Sequence, residues 1–137
     1  MTAEIGIRRT VDLPYEQAIE QTVAALATEG FGVLTRIDIQ ATLKEKLNAD
    51  FRRYMILGAC NPPLAHRALS ANLDVGLLLP CNVTVYEAGH GSVVTAVDPV
   101  EMLGSFSADP VARAVAVEAR TRLRRVMDLI ARPDPSV

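Results

Sequence analysis

The chain has 137 residues, half of them apolar, which is enough to bury a core without disulfides or structural metals. Its formal net charge of −2 gives no electrostatic reason to bind a polyanion, and three Tyr, three Phe and no Trp are too few for a base-stacking surface. We therefore predict a single domain over residues 1–137 that does not bind nucleic acid.

The sequence also indicates a protein that does not enter a membrane. Glu4 and Arg8 precede any long apolar run, so we expect no signal peptide. The most apolar short stretch, Val75–Leu79, is far shorter than the roughly 20 residues that span a bilayer. We expect a cytoplasmic protein in which both cysteines are reduced.

Strands and helices alternate in the first part of the chain. Residues 5–11 alternate between apolar and polar, which predicts a strand. Pro14 suits the first turn of a helix that Gly30 is placed to end. Residues 31–37 predict a second strand, and Asp38 can cap a short helix. The apolar positions of that short helix are Ile39, Leu43 and Leu47.

The third predicted strand covers about residues 52–59. Its end, Met55–Cys60, is apolar on both faces. Such a strand is usually covered on both sides, so we expect helices on one side and a second subunit on the other. Asn61 can cap the helix that follows, with Pro62 in its first turn. The buried stripe predicted for this helix is Leu64, Ala65, Ala68, Leu69 and Leu73.

The last part of the chain predicts a hairpin and a long helix. Strands at residues 81–87 and 92–97 flank a glycine-containing turn, and the helix runs from Asp109 to Arg132. The hairpin requires an antiparallel pair. We therefore predict an α+β two-layer sandwich, in which a four- or five-stranded, mostly antiparallel sheet carries helices on one face. The buried stripe predicted for the long helix is Val111, Val115, Ala119, Leu123, Val126 and Ile130.

Cys60 is the most informative residue, because it lies between an apolar strand and a helix capped by Asn61. Helix N-termini lower thiol pKa values and favour anions, so Cys60 and Asn61 are candidate ligand-binding residues. Free cysteine is also among the most buried residue types. A small core residue, a functional thiol or anion site, and a metal ligand all remain open for Cys60.

Cys81 and His66 are the other candidates for this site. Cys81 shares a strand face with Val83 and Val85, which favours core packing. If the two strand ends lie side by side, Cys60 and Cys81 could bind a soft metal ion such as Cu(I) or exchange with a disulfide. His66 follows Cys60 in the next helix and is either a further ligand or base, or a residue at the edge of a packed face.

Four segments of the sequence resemble a known family. Two of them contain Cys60 and Cys81, and their occurrence together resembles the domain-of-unknown-function 302 family, over about residues 5–130. The resemblance implies a compact α+β domain with a topology like that of the TATA-box-binding protein, and a homodimer. It implies no activity, and the likeness in fold is no evidence for DNA binding. The segments are residues 30–38, 41–47, 56–63 and 76–83.

The sequence contains no phosphate-binding loop, nucleophile elbow or His-Glu-x-x-His motif, so it indicates no enzyme class and no cofactor. Three hypotheses follow. The first is a dimeric module that binds a small anionic or thiol-reactive ligand, or a soft metal ion, near Cys60. The second is a structural protein that self-associates and binds no ligand. The third is a thiol redox enzyme or sensor that uses Cys60 with Cys81 as its resolving partner.

Overall fold

A computed structural model describes residues 5–103 and 109–131 of the chain. These residues form five strands, five α-helices and one 3-10 helix, in alternating order until the β4–β5 hairpin. The elements are β1 (Gly6–Val11), α1 (Tyr15–Thr28), β2 (Gly32–Asp38), α2 (Ile39–Leu47), β3 (Tyr54–Cys60), α3 (Pro62–Ala71), the 3-10 helix (Leu73–Leu78), β4 (Cys81–Ala88), β5 (Gly91–Val97), α4 (Pro99–Leu103) and α5 (Pro110–Ala131).

The five strands form one antiparallel sheet in the order β1-β5-β4-β3-β2. The hairpin β4–β5 lies in the middle of the sheet, and β1 and β2 are its edges. Helices α1 and α5 pack on one face of this sheet. The predicted α+β fold, with an antiparallel sheet and helices on one face, is therefore confirmed.

Two adjoining clusters make up the core. In the first, alternate residues of β3, β4 and β5 pack against α1 and the second half of α5. In the second, the first half of α5 packs against α3 and the 3-10 helix. Helix α5 therefore belongs to both clusters, and α3 is held against α5 rather than against the middle of the sheet. The second cluster comprises Leu64, Ala68, Val75, Ala112, Val115 and Ala119.

The structure corrects three predicted core positions. Leu73 is 83% exposed, because α3 ends at Ala71 and the backbone then tightens into a 3-10 helix that turns this side chain outward. Leu47 is 70% exposed, and none of the other residues of α2 is buried either. Val111, in the first turn of α5, is 44% exposed. The predicted end of the last helix at Arg132 lies outside the described residues.

Helix α4 and the 3-10 helix were not predicted from the sequence. Both are short, and neither shows the repeated apolar spacing of a surface helix. Among the helices of the described residues, none combines the length and the hydropathy needed to cross a bilayer.

Candidate functional site

The side chain of Asn61 determines where α3 begins. Its Oδ1 accepts a hydrogen bond from the backbone N–H of Leu64 at 3.3 Å, which confirms the predicted N-cap. Its Nδ2 donates to the backbone carbonyl of Glu29 at 3.1 Å, at the end of α1. Because both ends of this amide are used, Asn61 serves the fold and offers a ligand little of its hydrogen-bonding capacity.

Glu29 extends this link to α5. Its carboxylate accepts two hydrogen bonds from the guanidinium of Arg125, at 3.0 and 3.1 Å. Arg122 donates to the backbone carbonyl of Glu29 at 3.4 Å, the same carbonyl that Asn61 contacts. The end of α1, the start of α3 and the middle of α5 therefore meet at one residue.

Gly30 is required at this junction for two reasons. Its φ of +83° lies in the left-handed region, which side-chain-bearing residues rarely adopt. A Cβ atom there would also lie 3.0 Å from Asn61 Nδ2. The prediction that Gly30 ends the first helix is confirmed, and the residue also makes room for the Asn61 amide.

An apolar cavity lies beside this junction, between α3, α4, α5 and the adjoining ends of β3 and β4. Its volume is about 70 Å³, and one side of it opens to solvent. Small side chains line much of its wall, so neighbouring elements lie close together without their side chains filling the space. The alanines of the lining are Ala59, Ala65, Ala68, Ala112, Ala116 and Ala119.

Cys60 and Cys81 both line this cavity, and both are free cysteines. The register pairs Ala59 of β3 with Cys81 of β4, so Cys60 is the diagonal neighbour of Cys81 on the adjacent strand. Cys60 is half-buried, whereas Cys81 is only 8% exposed. The structure therefore places the two predicted cysteines at adjacent strand ends beside the cavity. Because Cys60 is one residue beyond the pair Ala59–Cys81, its side chain points to the opposite face of the sheet from that of Cys81.

Burial is the main influence on the chemistry of Cys81. Desolvation raises the pKa of its thiol from 9.0 to about 11, and the nearby Cys60 adds to this increase. The thiolate is the nucleophile in disulfide exchange, so a Cys81 that stays protonated at neutral pH is a poor resolving thiol. This observation weighs against the redox hypothesis.

His66 does not join the two cysteines. It is exposed on α3 and does not line the cavity. Among residues 5–103 and 109–131, those that line the cavity include no Lys, Arg, His, Asp or Glu, so a bound anion would meet no cationic side chain from this part of the chain. Within the described ranges, no group of three or more His, Cys, Asp or Glu residues is placed to hold a metal ion.

Sequence reasoning missed the parts of the cavity wall that come from α4. Pro99, Met102 and Leu103 belong to this five-residue helix and line the cavity. A signal was present in α5, where alanines fall at 112, 116 and 119 on the face that packs inward. Small residues at such positions indicate either close helix packing or unfilled space, and the sequence does not distinguish them.

The raised pKa of Cys81 predicts a specific loss of stability at alkaline pH. The folded thiol titrates near 11, whereas the unfolded thiol titrates near its ordinary value, so the stabilisation is complete below about pH 9. We expect about 2 to 3 kcal/mol of the free energy of unfolding to be lost between about pH 9 and pH 11. Urea unfolding of the wild type and of Cys81→Ala across this range checks the prediction, and parallel pH curves for the two proteins would contradict it.

Comparison with known proteins identifies the family. The family model described as "Domain of unknown function DUF302" matches residues 7–130. Among solved structures, the chain is similar to an uncharacterized conserved DUF302 protein from Bacillus stearothermophilus, at 32% identity and a TM-score of 0.85, over 93% of this chain and 99% of that one. A comparison with curated proteins found no match. The chain therefore belongs to the DUF302 family.

Proposed function

We propose that the protein binds a small, mainly apolar ligand, without catalysis, in the cavity beside Cys60 and Cys81. The observation that carries this proposal is the lining, in which the residues that the structure describes are apolar or small, include both cysteines and carry no charge. Ligand sites typically have mostly apolar walls with a few polar groups. A cavity of about 70 Å³ suits a ligand of only a few heavy atoms. We further propose that binding occurs in the cytoplasm, where both thiols stay reduced.

The energetics of packing favour an occupied cavity. Protein interiors are close-packed, and unfilled space forfeits dispersion contacts along its walls. A ligand that covers the alanine-lined wall restores those contacts and removes its own apolar surface from water, at about 25 cal/mol per Å². The absence of a cationic side chain in the lining favours a neutral ligand over the anionic one expected from the sequence.

A thiol-reactive ligand is a narrower form of the same proposal. Cys81 is deeply buried and holds its proton at neutral pH, so reaction with an electrophile would fall to the half-buried Cys60. The apolar wall would position the body of an α,β-unsaturated carbonyl compound, and the Cys60 sulfur would bond to its β-carbon. The C=C π bond breaks in this addition, and the proton lost by the thiol is taken up at the α-carbon.

Isothermal titration calorimetry with benzene, a small neutral apolar probe, tests the proposed function. We expect saturable binding by the wild type. Ala116 lines the cavity and is 8% exposed, so Ala116→Leu should place a larger side chain in the space and weaken benzene binding at least about tenfold. Ala114 is on the exposed side of the same helix, and Ala114→Leu should bind like the wild type.

Circular dichroism and urea unfolding would establish that both variants are folded. The absence of saturable binding by the wild type would contradict the proposal. So would equal affinities of folded Ala116→Leu and Ala114→Leu for benzene.

Self-association is a second candidate function, and it is supported by a group of exposed apolar side chains. Strand β2 is an edge of the sheet. Among the described residues, no other strand pairs with the outer side of its backbone. Leu34 in β2 is 68% exposed and Ile37 is 46% exposed. Leu47 and Phe51, which follow along the chain, are 70% and 45% exposed. An edge strand with apolar neighbours is a common template for pairing between chains.

Light scattering after size exclusion tests self-association. We expect the wild type to run as a dimer of the 14.8 kDa chain. Leu34→Lys should shift it to the monomer, because a charge on an edge strand opposes pairing. Leu129→Lys is the control, since Leu129 is 43% exposed on α5, on the opposite layer of the fold. A monomeric wild type, or a dimeric Leu34→Lys, would overturn this candidate.

A further inference from the structure

The side of the sheet that points away from α1 and α5, here called the open face, is almost free of charge. Its members follow from the register, because residues directly opposite one another on adjacent strands point to the same side. Among the described strands, only Arg8 of the edge strand β1 adds a charge to this face. The centre of the open face comprises Tyr54, Ile56, Thr84, Tyr86, Val93 and Thr95.

The other charged residues of the strands point toward the helices. Arg9 of β1 forms an ion pair with Asp128 of α5 at 2.8 Å, and Arg36 of β2 forms one with Glu20 of α1 at 3.4 Å. A sheet with one face in water usually alternates between apolar residues inside and polar residues outside. Here the charges lie at the margins of the helix-covered face, and the middle of the open face has none. This distribution is typical of a sheet that is covered on both sides.

The part of the chain that the structure describes does not cover the open face with a helix. Helix α2 contacts β2 and β3, but none of its residues is buried. Five strands of six to eight residues have a flat extent of roughly 24 Å by 20 to 26 Å, or about 500 to 600 Å². Side chains increase the accessible area above this figure, toward the roughly 800 Å² that each partner buries in a standard interface.

Aromatic side chains are concentrated at one end of the open face. The rings of Tyr54 and Tyr86 stack with centroids 5.5 Å apart and planes at 4°. The ring of Phe51, just before β3, lies 6.2 Å from that of Tyr54. Arg52 places its guanidinium 5.6 Å from the Tyr86 centroid, at the margin of the face. Aromatic residues and Arg are enriched in protein interfaces, where they act as anchors.

We propose that the open face packs against the same face of a second copy of the chain, so that the dimer has four layers with the helices outside. The proposal rests on self-association, the second candidate function, and moves the centre of the contact from the edge of β2 to the open face. Sheets that pack face to face keep their strands roughly aligned, because both have the same twist.

A second copy is the occupant that the charges favour. A partner with charged groups at the centre of the contact would bury them without counter-charges, which is costly. A second open face brings no such groups, and its twist matches. Arg8 and Arg52 lie at the margin, where an interface tolerates charge.

Thr84 tests this arrangement because it lies at the centre of the open face. It is in the middle of β4, which is the central strand of the sheet. A two-fold axis through the centre of the face therefore places Thr84 close to the same residue of the second copy, whatever the direction of the axis in the plane. Thr121 is the matched control, since it is exposed on α5, in the outer layer.

Lysine substitution is the first experiment, with dimer dissociation measured by sedimentation equilibrium. Thr84→Lys buries two like charges at the centre of the dimer, so its dissociation constant should increase at least about 100-fold. Thr121→Lys should dissociate like the wild type. Each substitution removes one hydroxyl that donates to a backbone carbonyl, of Thr95 or of Val117, so the controls match. Circular dichroism establishes that both variants are folded.

Chemical crosslinking is the second experiment, and it does not depend on a disruptive substitution. In a Cys60→Ser background, which leaves only the buried Cys81, we expect a short bismaleimide to crosslink Thr84→Cys into covalent dimers. Thr121→Cys should stay monomeric under denaturing electrophoresis. Equal crosslinking of the two variants would contradict the proposed face-to-face contact.

The Leu34→Lys variant separates this proposal from the edge-strand contact. A dimeric Leu34→Lys with a monomeric Thr84→Lys supports the open face and overturns the edge contact. A dimeric Thr84→Lys with a monomeric Leu34→Lys overturns the open face alone. A monomeric wild type would overturn both and leave the open face to a different partner, whereas benzene binding tests the cavity independently.

Discussion

The bridging amide of Asn61 is the constraint on which the site depends. One end of the side chain caps α3, and the other holds the carbonyl of Glu29 at the end of α1. Arg122 of α5 reaches the same carbonyl, so three helices are tied at one point. Exposed ion pairs contribute little stability on their own, and the importance of this junction is that it fixes where α3 starts relative to α5. The cavity lies in the space that this placement leaves against the strand ends.

The alanines around the cavity explain why that space is not closed by neighbouring side chains. Ala112, Ala116 and Ala119 of α5 and Ala65 and Ala68 of α3 all line it. Larger residues at these positions would fill it, as they do in the first core cluster, where Leu57, Leu123 and Met127 are fully buried. The same α5 helix therefore packs tightly over the sheet in its second half and borders open space in its first half.

Most of the fold could be predicted from local patterns. Alternation identified the strands, while Asp38 and Asn61 stood out as caps because their side chains satisfy helix N–H groups within three residues. The antiparallel pair followed from the short hairpin turn. The prediction that Leu73 is buried was wrong, because the apolar helical spacing continues in the sequence after the backbone has changed to a 3-10 helix.

The candidate site could be predicted only in part. The sequence singled out Cys60 and Cys81 because both lie at predicted strand ends, and the sheet register places those ends side by side. The cavity could not be predicted, because its volume depends on the separation of α3, α4 and α5, which residue spacing within one helix does not specify. The exposure of His66 could not be predicted either, because contact with α5 determines which face of α3 is buried.

A crystal structure determined under xenon pressure would show whether the alanine-lined cavity is open and apolar. Xenon enters apolar cavities that water does not fill. We expect xenon density between Ala116 of α5 and Cys81 of β4, with the surrounding helices unmoved. The absence of xenon from this space, or a chain of ordered waters along the alanine-lined wall, would contradict the proposed apolar cavity.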